Sequence, residues 1–121
     1  MNSKKTVVLG ASPNPVRFSN KAVKSLMRHK HEVVPVGHRE GTIAGHEILV
    51  GKPRIDNVHT VSLYIGSSRQ ADYYDYIISL RPERVIFNPG TVNPEFMVRL
   101  DREGIDPLDS CMLVMLNEGE F

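Results

Sequence analysis

The stretch Thr6-Val7-Val8-Leu9-Gly10 constrains the fold more than any other part of the chain. Three consecutive apolar residues, mostly β-branched, suit a strand buried on both faces, as found in parallel sheets covered by helices. Gly10 then permits a sharp turn without a Cβ clash. Ala11-Ser12-Pro13-Asn14-Pro15 follows, with Arg17 and Ser19 leading into a helix. The opening of that helix has free N–H groups and a positive dipole end. Together with Ser12, Asn14, Arg17 and Ser19 it predicts a seat for something small and anionic.

Further apolar runs at Val33-Val34-Pro35-Val36, Val61-Ser62-Leu63-Tyr64-Ile65 and Val85-Ile86-Phe87 read as strands, with Asp106-Pro107-Leu108 a weaker fifth. Helical patterns separate most of them. Ala22, Val23, Leu26 and Met27 make one amphipathic stripe, ending near Arg28-His29-Lys30-His31. Ser67 with Gln70 fits a capping box, followed by a buried stripe of Ala71, Tyr74, Ile77 and Ile78. Asn93-Pro94-Glu95 supplies a cap, a first-turn proline and an acid near the dipole, with Phe96, Met97 and Leu100 facing inward and Gly104 closing the helix. Residues 37–59 carry Gly41, Gly45, Gly51 and Pro53 and predict an irregular connection, with a short hairpin-like piece and one helical turn around Ile55 to Val58.

Strands alternating with helices imply right-handed crossovers. The expected fold is α/β: a Rossmann-like, doubly wound parallel sheet of about five strands in three α/β/α layers, a single domain over residues 1–121. In the usual order 3-2-1-4-5, the loops at Gly10, Ile65-Gly66-Ser67 and Asn88-Pro89-Gly90 converge on the carboxyl edge, where ligands bind.

The ligand is narrowed by what the loops lack. After Gly10, the positions where a G-x-G-x-x-G fingerprint places glycines hold Ser12 and Pro15. At the end of the second strand, where NAD sites want a carboxylate for the ribose, the chain reads Val36-Gly37-His38-Arg39. A basic residue there suits a phosphate on the adenosine ribose, as in NADP or coenzyme A.

Composition removes other classes. The formal net charge of +1 comes from interspersed charges, which argues against a nucleic-acid surface. Lys4-Lys5 precedes too short an apolar stretch for a signal core or membrane span, and the lone Cys111 makes no internal disulfide, so the cytoplasm is the expected compartment. Cys111, beside Met112, Leu113 and Val114, reads as inert. His29 and His31 flank Lys30 at a helix end, and His38, His46 and His59 lack metal spacing. Asp72 and Asp75 among Tyr73, Tyr74 and Tyr76 read as surface acids beside partly buried rings, and residues 117–121 as a frayed acidic tail. The pattern therefore nominates no catalytic residue and no metal ligand.

These motifs resemble the small, stand-alone CoA-binding domain proteins, which are similar to the N-terminal nucleotide-binding domain of the succinyl-CoA synthetase α subunit. The resemblance rests on Val8 to Pro15 with Arg17, Ser19 and Asn20, on His31 to Val36, on Ile48 to Pro53, and on Gly90 to Glu95. It implies a fold that holds coenzyme A by its adenine, ribose phosphate and pyrophosphate. Gly10, Ala11, Ser12, Asn14, Arg17 and Ser19 would then cradle phosphate, and Val36, Gly37, His38 and Arg39 would lie by the adenosine. Ile65, Ser67, Asn88, Pro89 and Gly90 would line the rest of the groove. Two departures stand out. The family's Cys-Ile-Lys-x-Glu-His-like ending is replaced by Cys111-Met112-Leu113-Val114-Met115-Leu116, and Phe18 stands where proline is common.

The expected function is binding of coenzyme A or an acyl-CoA by a carrier, sensor or subunit-like module, with a homodimer or another protein as partner. An NADP-dependent oxidoreductase would use the same Arg39. A protein-interaction module that has lost its nucleotide would use the apolar tail from Met112 to Leu116.

Overall fold

In the computed structural model, which describes residues 3–121, β1 (Thr6–Leu9) is buried along its whole length. It lies at the centre of a six-stranded parallel sheet. The other members are β2 (Val33–Gly37), β5 (Leu49–Val50), β6 (Thr60–Leu63), β7 (Arg84–Phe87) and β8 (Asp106–Asp109), in the order β5-β2-β1-β6-β7-β8. A separate hairpin pairs β3 (Thr42–Ile43) with β4 (His46–Glu47), turning through Ala44 and Gly45 at φ +48° and +86°. Both values are positive, as a two-residue hairpin turn requires.

The side chains of β1 alternate between two apolar clusters. Val7 and Leu9 pack with Val36, Leu63, Phe87, Ile77, Phe96 and Leu100, beneath α2 (Tyr74–Ser79) and α3 (Pro94–Arg102). Val8 packs on the other face with Ala22, Val23, Leu26, Met112 and Leu116, beneath α1 (Phe18–Arg28) and α4 (Met112–Asn117). The three α/β/α layers follow from that alternation. Asn93 caps α3 as its sequence predicts, its Oδ1 accepting from Phe96 N at 3.2 Å. Pro107 sits in the edge strand β8, where the missing N–H is tolerated.

Several expectations change. The sheet has six strands, not five, because Leu49–Val50 adds an edge strand within the segment read as irregular. The strand read as third, Thr60–Leu63, therefore sits beside β1, and β5 takes the outer place beside β2. No helical turn forms around Ile55 to Val58. The capping box at Ser67 does not form either. Two 3₁₀ turns, Ser67–Arg69 and Ala71–Tyr73, precede a six-residue α2, and Gln70 turns inward to bond backbone carbonyls instead of the chain ahead of it. Ala71 is accordingly exposed. The apolar tail becomes α4, with Met112 and Leu116 buried against the α1 side of the sheet. Among the described residues, no helix is long and apolar enough to cross a membrane.

The tail end is docked, not frayed. At the amino edge of the sheet the Phe121 ring meets His31 edge-on at 4.8 Å, with the Arg84 guanidinium 4.5 Å and the Lys4 ammonium 5.6 Å from its centre. Lys4 N–H donates to His31 Nδ1 at 3.0 Å, so that nitrogen must be unprotonated. Burial first, then the charge of Lys4, holds His31 below its ordinary 6.5, and burial likewise lowers His59. The folded protein thus resists a proton that the unfolded chain accepts near pH 6.5. Stability is full above that value and is lost as the pH falls below it. The melting temperature should therefore decline as the pH falls below 6.5, and His31→Gln should shallow the decline. An unchanged slope in the variant would separate His31 from the effect.

Candidate functional site

Two glycines shape the carboxyl edge. Gly10 turns at φ +99°, and its N–H and that of Ala11 both donate to Val36 O at 2.9 Å, tying the loop after β1 to β2. A Cβ on Gly10 would lie 3.0 Å from the Tyr64 carbonyl group, so the loop passes close against the end of β6. A Cβ on Gly37 would lie 2.3 Å from Ala11 O. The loop then winds on itself. Ser12 Oγ accepts from Asn14 N at 3.1 Å, Asn14 Oδ1 from Val16 N at 3.0 Å, and Ser12 O from Asn20 Nδ2 at 2.9 Å. No side chain caps α1; Asn20 N–H donates to Arg17 O at 3.1 Å, and the N–H groups of Phe18 and Ser19 are left without a partner among the described residues.

The loops after β1, β2, β6 and β7 enclose a cleft of about 760 Å³. It forms where the strand order reverses, with α1 leaving β1 on one face of the sheet and α2 following β6 on the other. Gly10, Ala11, Ser12, Asn14, Arg17, Ser19, Val36, Gly37, His38, Arg39, Ile65, Pro89 and Gly90 all line it. Ser67 and Asn88 do not. Ser67 is exposed on the first 3₁₀ turn. The Asn88 amide is occupied beneath the cleft, donating to Ser62 Oγ at 2.8 Å and Leu63 O at 2.9 Å and accepting from Met112 N at 2.8 Å.

The structure also brings in residues that the pattern did not nominate. Arg69 borders the cleft from the first 3₁₀ turn, with Ser68, Asp72 and Tyr73 nearby on the same segment and Thr91 across from it. Tyr64 lines the cleft with its hydroxyl fully buried beside Ser62, and burial raises its ionisation well above the ordinary phenol range. Phe18 stands at the lip, 67 % exposed, with the Lys21 ammonium 5.3 Å from its ring centre.

The charge around this cleft is uncompensated. Arg17, Arg39 and Arg69 approach from three segments, and among the described residues none is in an ion pair; the carboxylates that pair do so with Lys5, Arg54, His59, Arg81 and Arg99. Asp72 is the single acid in the lining. Three guanidinium groups around open helix N–H groups form a strong attractor for phosphates. Among the described residues, no group of three metal-ligating side chains comes together.

Comparison with known proteins agrees with this arrangement. The profile of the CoA binding domain family matches residues 4–117. A crystal structure of an uncharacterized protein is 45 % identical, with all of each chain covered and a TM-score of 0.97. A hypothetical protein from Pyrococcus horikoshii OT3 is 26 % identical, covering 96 % of this chain and 83 % of its own, with a TM-score of 0.85. The fold also recurs in an acetyl-coenzyme A synthetase from Ca. Korarchaeum cryptofilum in complex with phosphate and ADP. That chain is 17 % identical over 90 % of this chain and 26 % of its own, with a TM-score of 0.74. No curated protein matches.

The glycine geometry gives a direct test. Gly37→Ala must displace the Ala11 carbonyl and should cost about 1–3 kcal/mol of stability while weakening any anion bound at the loop. Gly66→Ala, whose added carbon meets nothing within 4 Å, should be close to neutral in stability. Equal melting temperatures for the two variants in thermal denaturation would refute the close-approach argument.

Proposed function

Because the chain belongs to the CoA binding domain family, we propose that the cleft holds coenzyme A, free or as an acyl thioester, and that the protein serves as a CoA-binding carrier, sensor or subunit-like module. The observation that carries this reading is the trio of arginines, unpaired among the described residues, around a glycine-shaped loop and a helix start without a side-chain cap. Coenzyme A presents a pyrophosphate and a ribose phosphate, and both need cations or N–H donors. In this reading the segment from Gly10 to Ser19 cradles the pyrophosphate. His38 and Arg39, at the end of β2, take the ribose phosphate, and Arg69 adds charge from the facing lip.

NADP carries a ribose phosphate too, so the oxidoreductase reading shares Arg39 and is separated by measurement. The interaction-module reading has less of the tail to draw on, since Met112 and Leu116 pack in the core while Val114 stays exposed. Calorimetric titration with CoA, dephospho-CoA, NADP and ATP decides among them. CoA should bind most tightly, and loss of its 3′-phosphate should weaken binding. Arg39→Ala should remove most of that preference, a loss of about 1.5–3 kcal/mol for a charge-assisted contact. Arg17→Ala should weaken CoA and dephospho-CoA alike. A preference for NADP would overturn the reading, and undiminished discrimination by the variant would remove Arg39 from it.

A further inference from the structure

Gln70 is wholly buried, yet its chain neighbour Arg69 is exposed at the cleft. Its amide spans two loops. Nε2 donates to Ile65 O at 2.8 Å and to Thr91 O at 2.7 Å, and Oε1 accepts from Asn93 Nδ2 at 3.0 Å. Ile65 and Thr91 both line the cleft, the first at the end of β6 and the second in the loop after β7. Asn93 in turn caps α3 through Phe96 N and donates to the Tyr74 hydroxyl on α2 at 2.7 Å. Both donors of one amide are thus used to hold the two lips together, in a buried place where no water can replace them. Gln70 itself does not border the cleft.

We propose that Gln70 is a positioning residue for the ligand. It sets the separation of the lip carrying Arg69 from the lip carrying Thr91, and so sets affinity without touching what binds. This rests on the coenzyme A reading for its ligand, but the geometry is independent of it. An apolar side chain of similar length would leave the Ile65 and Thr91 carbonyls unpaired and free the two lips to move apart.

The test is Gln70→Met, titrated with CoA well below its melting temperature, together with amide hydrogen exchange of the ligand-free protein. CoA affinity should fall about tenfold. Exchange should quicken in residues 66–69 and 90–92 and stay unchanged in β1 and β2. In an Arg69→Ala background the same substitution should cost less than about threefold, because its effect passes through Arg69. A residue with only a stabilising role would lower the melting temperature and leave affinity and the double-variant cycle untouched, and that result would overturn the proposal. Should Gln70→Met fail to fold, Asn93→Asp keeps the α3 cap while turning an acceptor toward Gln70 Oε1. It should quicken exchange in the same two segments, and unchanged exchange there would also overturn it. Wild-type protein that binds no CoA would sink the coenzyme A reading, whereas the exchange data decide without ligand whether Gln70 holds the two lips together.

Discussion

The rest of the site depends on one close approach, in which the loop after β1 threads between the ends of β2 and β6. Val36 O receives two N–H groups from that loop, Gly37 leaves room for the Ala11 carbonyl, and Gly10 leaves room for the Tyr64 carbonyl. Any side chain at Gly37 would lift the loop off β2. The loop would then no longer deliver Arg17 and the start of α1 to the point where the strand order reverses. Fold and site are therefore one constraint, since the same turn that lets α1 cross back over the sheet also brings Phe18 and Ser19, the residues with free N–H groups, to the cleft.

Below and above that loop the polar groups obey opposite rules. Beneath the cleft, Asn88, Gln70, Thr91 and Asn93 are buried and bonded to one another's backbones or side chains. Each bond there stands in for water that cannot enter, which makes the floor rigid. Around the rim, Arg17, Arg39 and Arg69 are exposed and unpaired among the described residues. Exposed guanidinium groups keep their hydration, so leaving them unpaired costs little until a phosphate takes the place of water. A rigid floor under a charge-bearing rim is the arrangement preorganisation demands.

What the sequence disclosed follows the range of each signal. β1, the α1 stripe and the cap at Asn93 were legible because their information lies within a few consecutive residues. So was the contiguous part of the cleft's lining, from Gly10 to Ser19 and from Val36 to Arg39. Leu49–Val50 is too short to show a period, and its pairing with β2 displaced the strand read as third. Ser67 with Gln70 carries the local form of a cap. Gln70, however, bonds carbonyls 5 and 21 residues away, and that distant pairing turned a predicted helix start into two 3₁₀ turns. Arg69 was invisible for the same reason, being an exposed arginine whose meaning comes only from the loop opposite it. Asn88 erred the other way: a polar residue in a turn after a strand reads as a ligand contact, but its amide serves β6 and α4.

The character of the lining bears on the kind of ligand as well as its charge. The Arg17, Arg39 and Arg69 guanidinium groups and the free N–H groups of Phe18 and Ser19 are all donors, and among the described residues the sole carboxylate in the lining is Asp72. Such donors recognise a ligand that carries anionic acceptors. Coenzyme A answers that description, with phosphates at the nucleotide end and amide carbonyls beyond them. The Tyr64 hydroxyl is fully buried beside Ser62, so the donors that face the cleft are the arginines and the start of α1.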